Sequence, residues 1–434
     1  MNFSSLIFLF FFFPIFLCVY NLIPNKYKKL VILIFSLIFY LYSGLYNFLI
    51  IIFISFINYL STILINKYIK KDFYYYILVF LNIIALLLFK YSKNLTFPLG
   101  ISFYIFNSIS YIIDVQRKKI SVEKNIINYF CYIMLFTHVT IGPITRYNSI
   151  YDDLQSINIT SNDFTEGFRR FLNGLIKKVI ISDNLGLLFT TLLEHQNTSI
   201  VLNIYILIVF ALELYIDFSS YSDMAIGIGQ MIGIHYKENF DFPYSSTSVS
   251  EFWRRWHISL GEFFKEYVYF PLGGSKKGTL RCIINILIVW FLTGIWHGNT
   301  INFLLWGIYY GFIIIIEKFL LKDILNKASD FIKHIYVLVI VLFGYIFFIN
   351  VDIIPFIKTF FNSKWIDNTA IFFMKENIVL VLIGILLCLK FPDKLRKKYK
   401  INNILVPVIY VLLFIIVIAY IISGSFKPFL YNNF

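Results

Sequence analysis

Trp253-Arg254-Arg255-Trp256-His257 and Trp296-His297-Gly298 set two histidines and two arginines among tryptophans, in a chain that is otherwise mostly hydrocarbon. An ionisable group at membrane depth is costly and marks a working site. A desolvated imidazole stays neutral, which is the state a general base needs. Thr293, Gly294, Gly298, Asn299 and Thr300 surround His297 with small and polar groups, predicting room for a ligand. No Gly-x-Ser-x-Gly or Cys-His arrangement supplies a nucleophile, so the attacking hydroxyl is expected from outside the chain. Asn299 and Trp296 are candidate oxyanion donors. His138, His235 and His334 read as hydrogen-bonded packing residues.

The elements around these groups follow from spacing. Ser248-Val-Ser-Glu251 has capping-box spacing and predicts a helix running through His257. On it Trp253 and His257 would share one face, and Phe252 and Trp256 another. Arg254 and Arg255 read either as lipid-headgroup contacts or as a phosphate clamp, for which the guanidinium fork is suited. Pro271-Leu-Gly-Gly-Ser-Lys-Lys-Gly278 resembles an anion cradle but lacks P-loop spacing, and a plain cytosolic turn obeying the positive-inside rule is the preferred account. Asp217-Phe-Ser-Ser-Tyr-Ser-Asp223 predicts either a capped helix break or the polar lining of a cavity. Gly229-x-x-x-Gly233 is a helix-packing pattern.

Composition fixes the fold class. The 434 residues are 59% hydrophobic, 20% aromatic and 14% charged, against roughly 25% charged in a soluble domain. The chain is expected to be all-α, a single polytopic membrane domain over 1–434 with about eleven spanning helices plus re-entrant and interfacial elements. Its parts are N-terminal helices (1–125), a catalytic core (126–330) and C-terminal helices (331–434). The four cysteines, Cys18, Cys131, Cys282 and Cys388, have no metal or redox spacing, and no metal or bound cofactor is expected.

The net charge of +14 reads as topology rather than nucleic-acid binding. With spans at 5–23, 30–43, 46–65, 74–90 and 99–116, alternate loops hold Lys26, Lys28 and Lys29, then Lys67, Lys70 and Lys71, then Arg117, Lys118, Lys119 and Lys124. The positive-inside rule puts the N-terminus outside. The basic run Lys390 to Lys400 predicts a cytosolic loop before a last span at 404–423. Phe164 to Ile181, with Arg169, Arg170, Lys177 and Lys178 among apolar residues, predicts a helix lying on the anionic inner leaflet. Residues 126–145, broken at Gly142-Pro143, are expected to enter and return. The spans at 283–297 and 301–316 then place His297 in the extracytoplasmic half and His257 in the cytosolic half.

Taken in order, Tyr215-Ile-Asp-Phe-Ser-Ser-Tyr-Ser-Asp-Met-Ala225, Glu238-Asn-Phe-Asp-Phe-Pro-Tyr244, Ser250-Glu-Phe-Trp-Arg-Arg-Trp-His-Ile-Ser-Leu260, Pro271-Leu-Gly-Gly274 and Gly294-Ile-Trp-His-Gly298 resemble the membrane-bound O-acyltransferase family. Pro98 to Phe103, Ile141 to Arg146 and Lys427 to Tyr431 fit as well. The nearest branch is that of bacterial alginate and peptidoglycan O-acetyltransferases. The resemblance implies an essential histidine at His297, a second at His257, and a helical fold around a through-membrane tunnel. It also implies cytosolic acetyl-CoA as acyl donor and an extracytoplasmic SGNH-type partner or polysaccharide acceptor. D-alanyl transfer to teichoic acid is the alternative within the family, and Phe136 to Gly142 lacks the Pro-Gln pair commoner in alginate enzymes.

On this reading Arg254, Arg255, Lys276, Lys277 and Arg281 are candidates to hold the donor phosphates, with Trp253, Trp256, Asp217 and Asp223 lining the substrate path. A proton-coupled transporter or flippase using Glu213, Asp217, Asp223 and the histidines is the rival from another class. It accounts for buried charge but not for the tryptophan-flanked pair.

Overall fold

The computed structural model describes residues 1–138, 142–349, 351–390 and 405–424. The basic run from Lys394 to Lys400, the segment Lys427 to Tyr431 and residues 139–141 of the expected re-entrant element lie outside the described residues. The described chain is helical and divides into two compact units, 1–173 with 221–238, and 174–220 with 239–434.

The first unit opens with apolar helices α1 (Phe8–Leu22), α2 (Lys28–Tyr42), α3 (Leu45–Ile69) and α4 (Asp72–Tyr91). A 20-residue helix is about 30 Å long, the thickness of a bilayer core, and α3 and α4 reach that length. Their outer faces expose Phe53 and Phe80, as lipid-facing helices do. Their inner faces are tied by reciprocal amide bonds between Asn58 and Asn82, at 2.9 and 2.8 Å. Side-chain amides bridge helices in this way where no water competes.

Helix α5 (Ile101–Gln116) is buried at every residue from Ile101 to Val115. Its Asn107 anchors a directional chain. The Thr145 backbone N–H donates to Asn107 Oδ1 (3.3 Å), so the amide nitrogen faces His138 Nε2 at 3.0 Å. His138 must then carry its proton on Nδ1 and donate to the Tyr236 hydroxyl at 3.2 Å. That hydroxyl also shares a hydrogen bond with Thr137 Oγ1 at 2.5 Å. The expectation that His138 packs as a hydrogen-bonded residue holds. Helix α6 (Ile126–Met134) has nine residues, about 14 Å and too short to cross. Beyond it, a side chain at Gly142 would run into the His138 backbone.

Helices α7 (Tyr147–Gln155) and α8 (Ser161–Ile176) follow. The expected headgroup-facing arginine on α8 turns inward. Arg170 Nε and Nη2 donate to Asp223 Oδ1 at 3.1 and 3.0 Å, and Nη1 and Nη2 to Glu238 at 2.7 and 2.5 Å. Two carboxylates hold the guanidinium through charge-assisted hydrogen bonds, so it is already engaged within the fold. A Cβ at Gly167 or at Gly227 would lie 2.6 Å from the other's carbonyl oxygen. Close helix approach is therefore made at Gly227 and not at the Gly229/Gly233 pair. Gly233 has φ +76° and stops its helix, in the left-handed position where glycine costs least.

In the second unit a π-helical turn, Lys177–Ser182, leads into α9 (Asp183–Glu194). Helix α10 (Ile200–Met231), whose residues from Tyr221 on belong to the first unit, runs 32 residues without interruption through Asp217–Asp223, where a helix break was one of two readings. Two features make the break unnecessary. Ser220 Oγ returns to the Asp217 carbonyl at 2.6 Å, and Asp217 is neutralised by Lys178 Nζ at 2.6 Å rather than by solvent. Lys178 is only 2% exposed and also pairs with Asp183 at 2.8 Å. It is a buried counter-ion, not the leaflet contact expected of it.

The unit continues with α11 (Val249–Arg255), α12 (Ile258–Phe264), α13 (Thr279–His297), α14 (Ile301–Phe319), α15 (Lys322–Lys327) and α16 (Asp330–Ile346). It ends with α17 (Ile353–Asn362), α18 (Asn368–Glu376), α19 (Ile378–Leu387) and α20 (Leu405–Ile422). By length and composition α3, α4, α10, α13 and α14 can each cross a membrane, and α18 with α19 form a sixth candidate bent by 64°. Helices α13 and α14 form a tight hairpin. A Cβ at Gly294 would sit 2.6 Å from the Phe303 carbonyl oxygen, and one at Gly307 would strike the Trp290 carbonyl. Small residues let the two backbones meet.

Candidate active site

The hairpin sets His297 at the last position of α13. Its ring is 3% exposed and lies among aromatics: Trp296 at 4.7 Å, Trp306 at 4.8 Å, Phe348 at 5.3 Å and Phe303 at 6.4 Å between centroids. The space expected from the neighbouring glycines is already filled. Gly294 seats the α14 backbone, and a Cβ at Gly298 would overlap the Phe303 ring. Thr293 bonds back to the Val289 carbonyl at 2.7 Å, and Asn299 and Thr300 are exposed rather than turned to the ring.

His257 neighbours the same indole, its ring 6.2 Å from Trp296. It is not on the helix with Trp253. Helix α11 ends at Arg255, and His257 adopts φ +46°, ψ +56° before α12 begins. Left-handed backbone at a non-glycine residue is sparsely populated and persists only where surroundings enforce it. Asn239 enforces it here. Its carbonyl takes the Ile258 N–H at 2.9 Å, and its side-chain oxygen accepts from the Ser259 N–H (3.1 Å), Ser259 Oγ (2.9 Å) and His257 Nδ1 (3.2 Å). Because the Ser259 N–H needs an oxygen, the amide orientation is fixed and His257 carries its proton on Nδ1. Phe218 stands edge-on to the ring at 4.7 Å.

The capping spacing at Ser248 works as read, with Ser248 Oγ accepting the Glu251 N–H at 3.0 Å. Glu251 reaches back one residue further than expected, to the Thr247 N–H at 2.8 Å, and its other oxygen takes Arg255 at 2.6 Å. A second cap comes from α14. The buried Glu317 carboxylate accepts the Val249 and Ser250 N–H groups at 2.6 and 3.0 Å, tying the helix before His257 to the hairpin that carries His297. Trp253 then packs on Trp290, Trp306 and Tyr310 at 5.0, 5.3 and 4.7 Å. Trp256 stacks on Phe252 and meets Phe240 edge-on.

The fold thus gathers His257, Trp296, His297 and, through Trp306, Trp253. Arg254, Lys276 and Lys277 are exposed. Arg255 is engaged by Glu251, and Asp217 and Asp223 are ion-paired to Lys178 and Arg170. Arg281 spends its Nε on the Leu272 carbonyl, and Asn285 holds the same turn at the Leu272 and Gly274 carbonyls. Asn239, Phe218, Trp306, Phe348 and Glu317 were not among the expected site residues. Asn239 and Phe218 had a signal, each as the second residue of a quoted motif, Glu238-Asn-Phe-Asp-Phe-Pro-Tyr244 and Asp217-Phe-Ser-Ser-Tyr-Ser-Asp223.

A helical membrane protein with two desolvated histidines against one indole has the makings of an acid–base catalyst. The chain belongs to the membrane-bound O-acyltransferase family, whose profile matches residues 35–357. It is 35% identical to a probable alginate O-acetylase of Pseudomonas fluorescens, over 80% of this chain and 72% of that protein. It is 29% identical to a peptidoglycan O-acetyltransferase of Helicobacter pylori, over 52% of this chain and 48% of the relative. With a teichoic acid D-alanyltransferase of Bacillus subtilis it shares 27% identity, over 53% and 61%. The protein is a membrane-embedded O-acyltransferase.

Burial pushes the His257 imidazole, which lies outside the spanning helices, down to about 3. It therefore stays neutral across about pH 5 to 8. Below an unfolded value of about 6.5 only the unfolded chain takes up that proton, so the ring's contribution to stability fades as the solution is acidified. A His257→Asn variant is expected to keep the parent's pH–rate profile between about pH 5 and 8 at a uniformly lower rate. A profile limb that vanishes in the variant assigns the titration to His257 instead.

Proposed function

We propose that the protein moves an acetyl group from cytosolic acetyl-CoA to a hydroxyl on the far side of the bacterial cytoplasmic membrane, O-acetylating an exported or cell-envelope polysaccharide. The observation that carries this reading is the pair of buried rings His257 and His297, 6.2 and 4.7 Å from the Trp296 ring. Neutral His297 removes the proton from the acceptor hydroxyl, whose oxygen attacks the thioester carbonyl. His257 is the second histidine of the site, its proton held on Nδ1 by Asn239. Aromatic walls exclude water that would otherwise hydrolyse the thioester.

The donor phosphates meet the exposed cations Arg254, Lys276 and Lys277, and the acyl group passes along a tunnel toward Trp253 and Trp296. Because His297 is walled by Phe303, Trp306 and Phe348, Phe303 or Phe348 swings aside when substrate enters, while Trp306 stays in place. The acceptor is the glycan itself or an extracytoplasmic SGNH-type partner that relays the acetyl group. The N-terminus lies outside, as the distribution of basic loops favours. The relatives of known name favour acetyl over D-alanyl transfer, since the longer and closer match is with alginate O-acetylases.

The test is turnover of acetyl-labelled acetyl-CoA by the detergent-purified protein, with a D-alanyl thioester as competitor substrate. Release of CoA from acetyl-CoA alone is the expected result. Preference for the D-alanyl donor moves the protein to teichoic acid chemistry. Substrate-coupled ion flux in vesicles with no acyl turnover makes it a transporter.

A further inference from the structure

Three buried N–H donors around the two histidines have no acceptor among the described residues: Trp306 Nε1, Trp253 Nε1 and Asn239 Nδ2. Buried polar groups are nearly always paired, and an orphan is costly, so such groups mark either a missing partner or a function. All three are donors, which is what a site needs if its ligand brings oxygen acceptors. Trp306 is the best placed. It is 2% exposed, its ring stands at 79° to the His297 ring at 4.8 Å, and it is held from three further sides by Trp253, Trp290 and Tyr310. An indole so fixed cannot turn its N–H elsewhere, and a donor that needs no reorganisation is what stabilises charge developing in a transition state.

We propose that Trp306 donates its indole N–H to the acyl carbonyl oxygen as negative charge develops there. The inference rests on the reading of His297 as the base of acyl transfer. The acceptor's O–H proton passes to His297, the C–O bond forms, and the carbonyl electrons move onto the oxygen facing Trp306. The C–S bond then breaks as those electrons return, and the leaving thiolate takes the proton from the His297 imidazolium. No other reactant is consumed. Trp306 is catalytic in this scheme because it touches the reacting oxygen.

The measurement is steady-state turnover of acetyl-CoA by the full chain carrying Trp306→Phe, which keeps an aromatic ring and removes the N–H. Loss of one oxyanion donor lowers kcat by about 10²–10³-fold, and KM for acetyl-CoA is expected to stay within about twofold. A thermal shift with unchanged kcat overturns the proposal and leaves the N–H bonded to an aromatic face. A loss carried wholly in KM also overturns it. Should Trp306→Phe not fold, benzothienylalanine at 306, which puts sulfur in place of the N–H at nearly the same shape, decides the same question. His297→Ala serves as the reference. If it retains turnover, the reading of the site fails; if it loses turnover while the Trp306 variants keep theirs, only this proposal fails.

Discussion

His297→Ala is expected to lower acyl turnover by about 10²–10⁴-fold, the usual contribution of a positioned general base, with the remaining rate owed to orientation of donor and acceptor. Alanine leaves a gap among Trp296, Phe303, Trp306 and Phe348, so packing and chemistry would be lost together. His297→Gln separates them: it fills much of the gap but accepts no proton near neutrality. The expected result is equal loss in both variants, with the glutamine form eluting as a monodisperse species that melts near the parent. Glutamine-variant turnover within about tenfold of the parent would mean that position 297 shapes the pocket and that the base lies elsewhere. His257 gives a graded comparison, because its ring is bound through Nδ1 to Asn239 and its loss disturbs the geometry around Trp296 before it removes a proton acceptor.

The family and the helical membrane class were legible in the sequence because both depend on local signals, namely apolar length and ordered motifs. The two histidines stood out in the sequence for the same reason, and the fold sets both rings near Trp296. What surrounds them was not. Helical spacing placed Trp253 and His257 on one face, yet α11 stops at Arg255, because Asn239, eighteen residues upstream of His257, captures the backbone and side chains that a longer helix would need. Glycines beside His297 suggested an open space, but a glycine is equally a place where another backbone arrives, and α14 arrives there. Asp217 looked like a helix terminator because its counter-ion, Lys178, lies 39 residues away. In each case the deciding partner is remote in sequence, and periodicity has no means of naming it.

Lys178 supplies the second large expectation. It is the cation shared by Asp183 and Asp217, all three buried, with Ser182 Oγ adding a bond to Asp217 at 3.3 Å. Removing one member of a buried pair costs about 3–5 kcal/mol, since the surviving charge keeps its desolvation penalty and loses its compensation. Lys178→Met deletes the cation while nearly conserving volume, leaving two carboxylates facing each other in low dielectric. The expected result is a sharply lowered melting temperature in detergent and poor yield from the membrane. Neutralising the acids as well, in Lys178→Met/Asp183→Asn/Asp217→Asn, is expected to recover most of the loss, because an uncharged set has no ion to solvate. Recovery in melting temperature without recovery of acyl turnover would show that the charges also set the position of Phe218, the residue after Asp217, against His257. If Lys178→Met melts with the parent, the ion pairs contribute nothing net to stability.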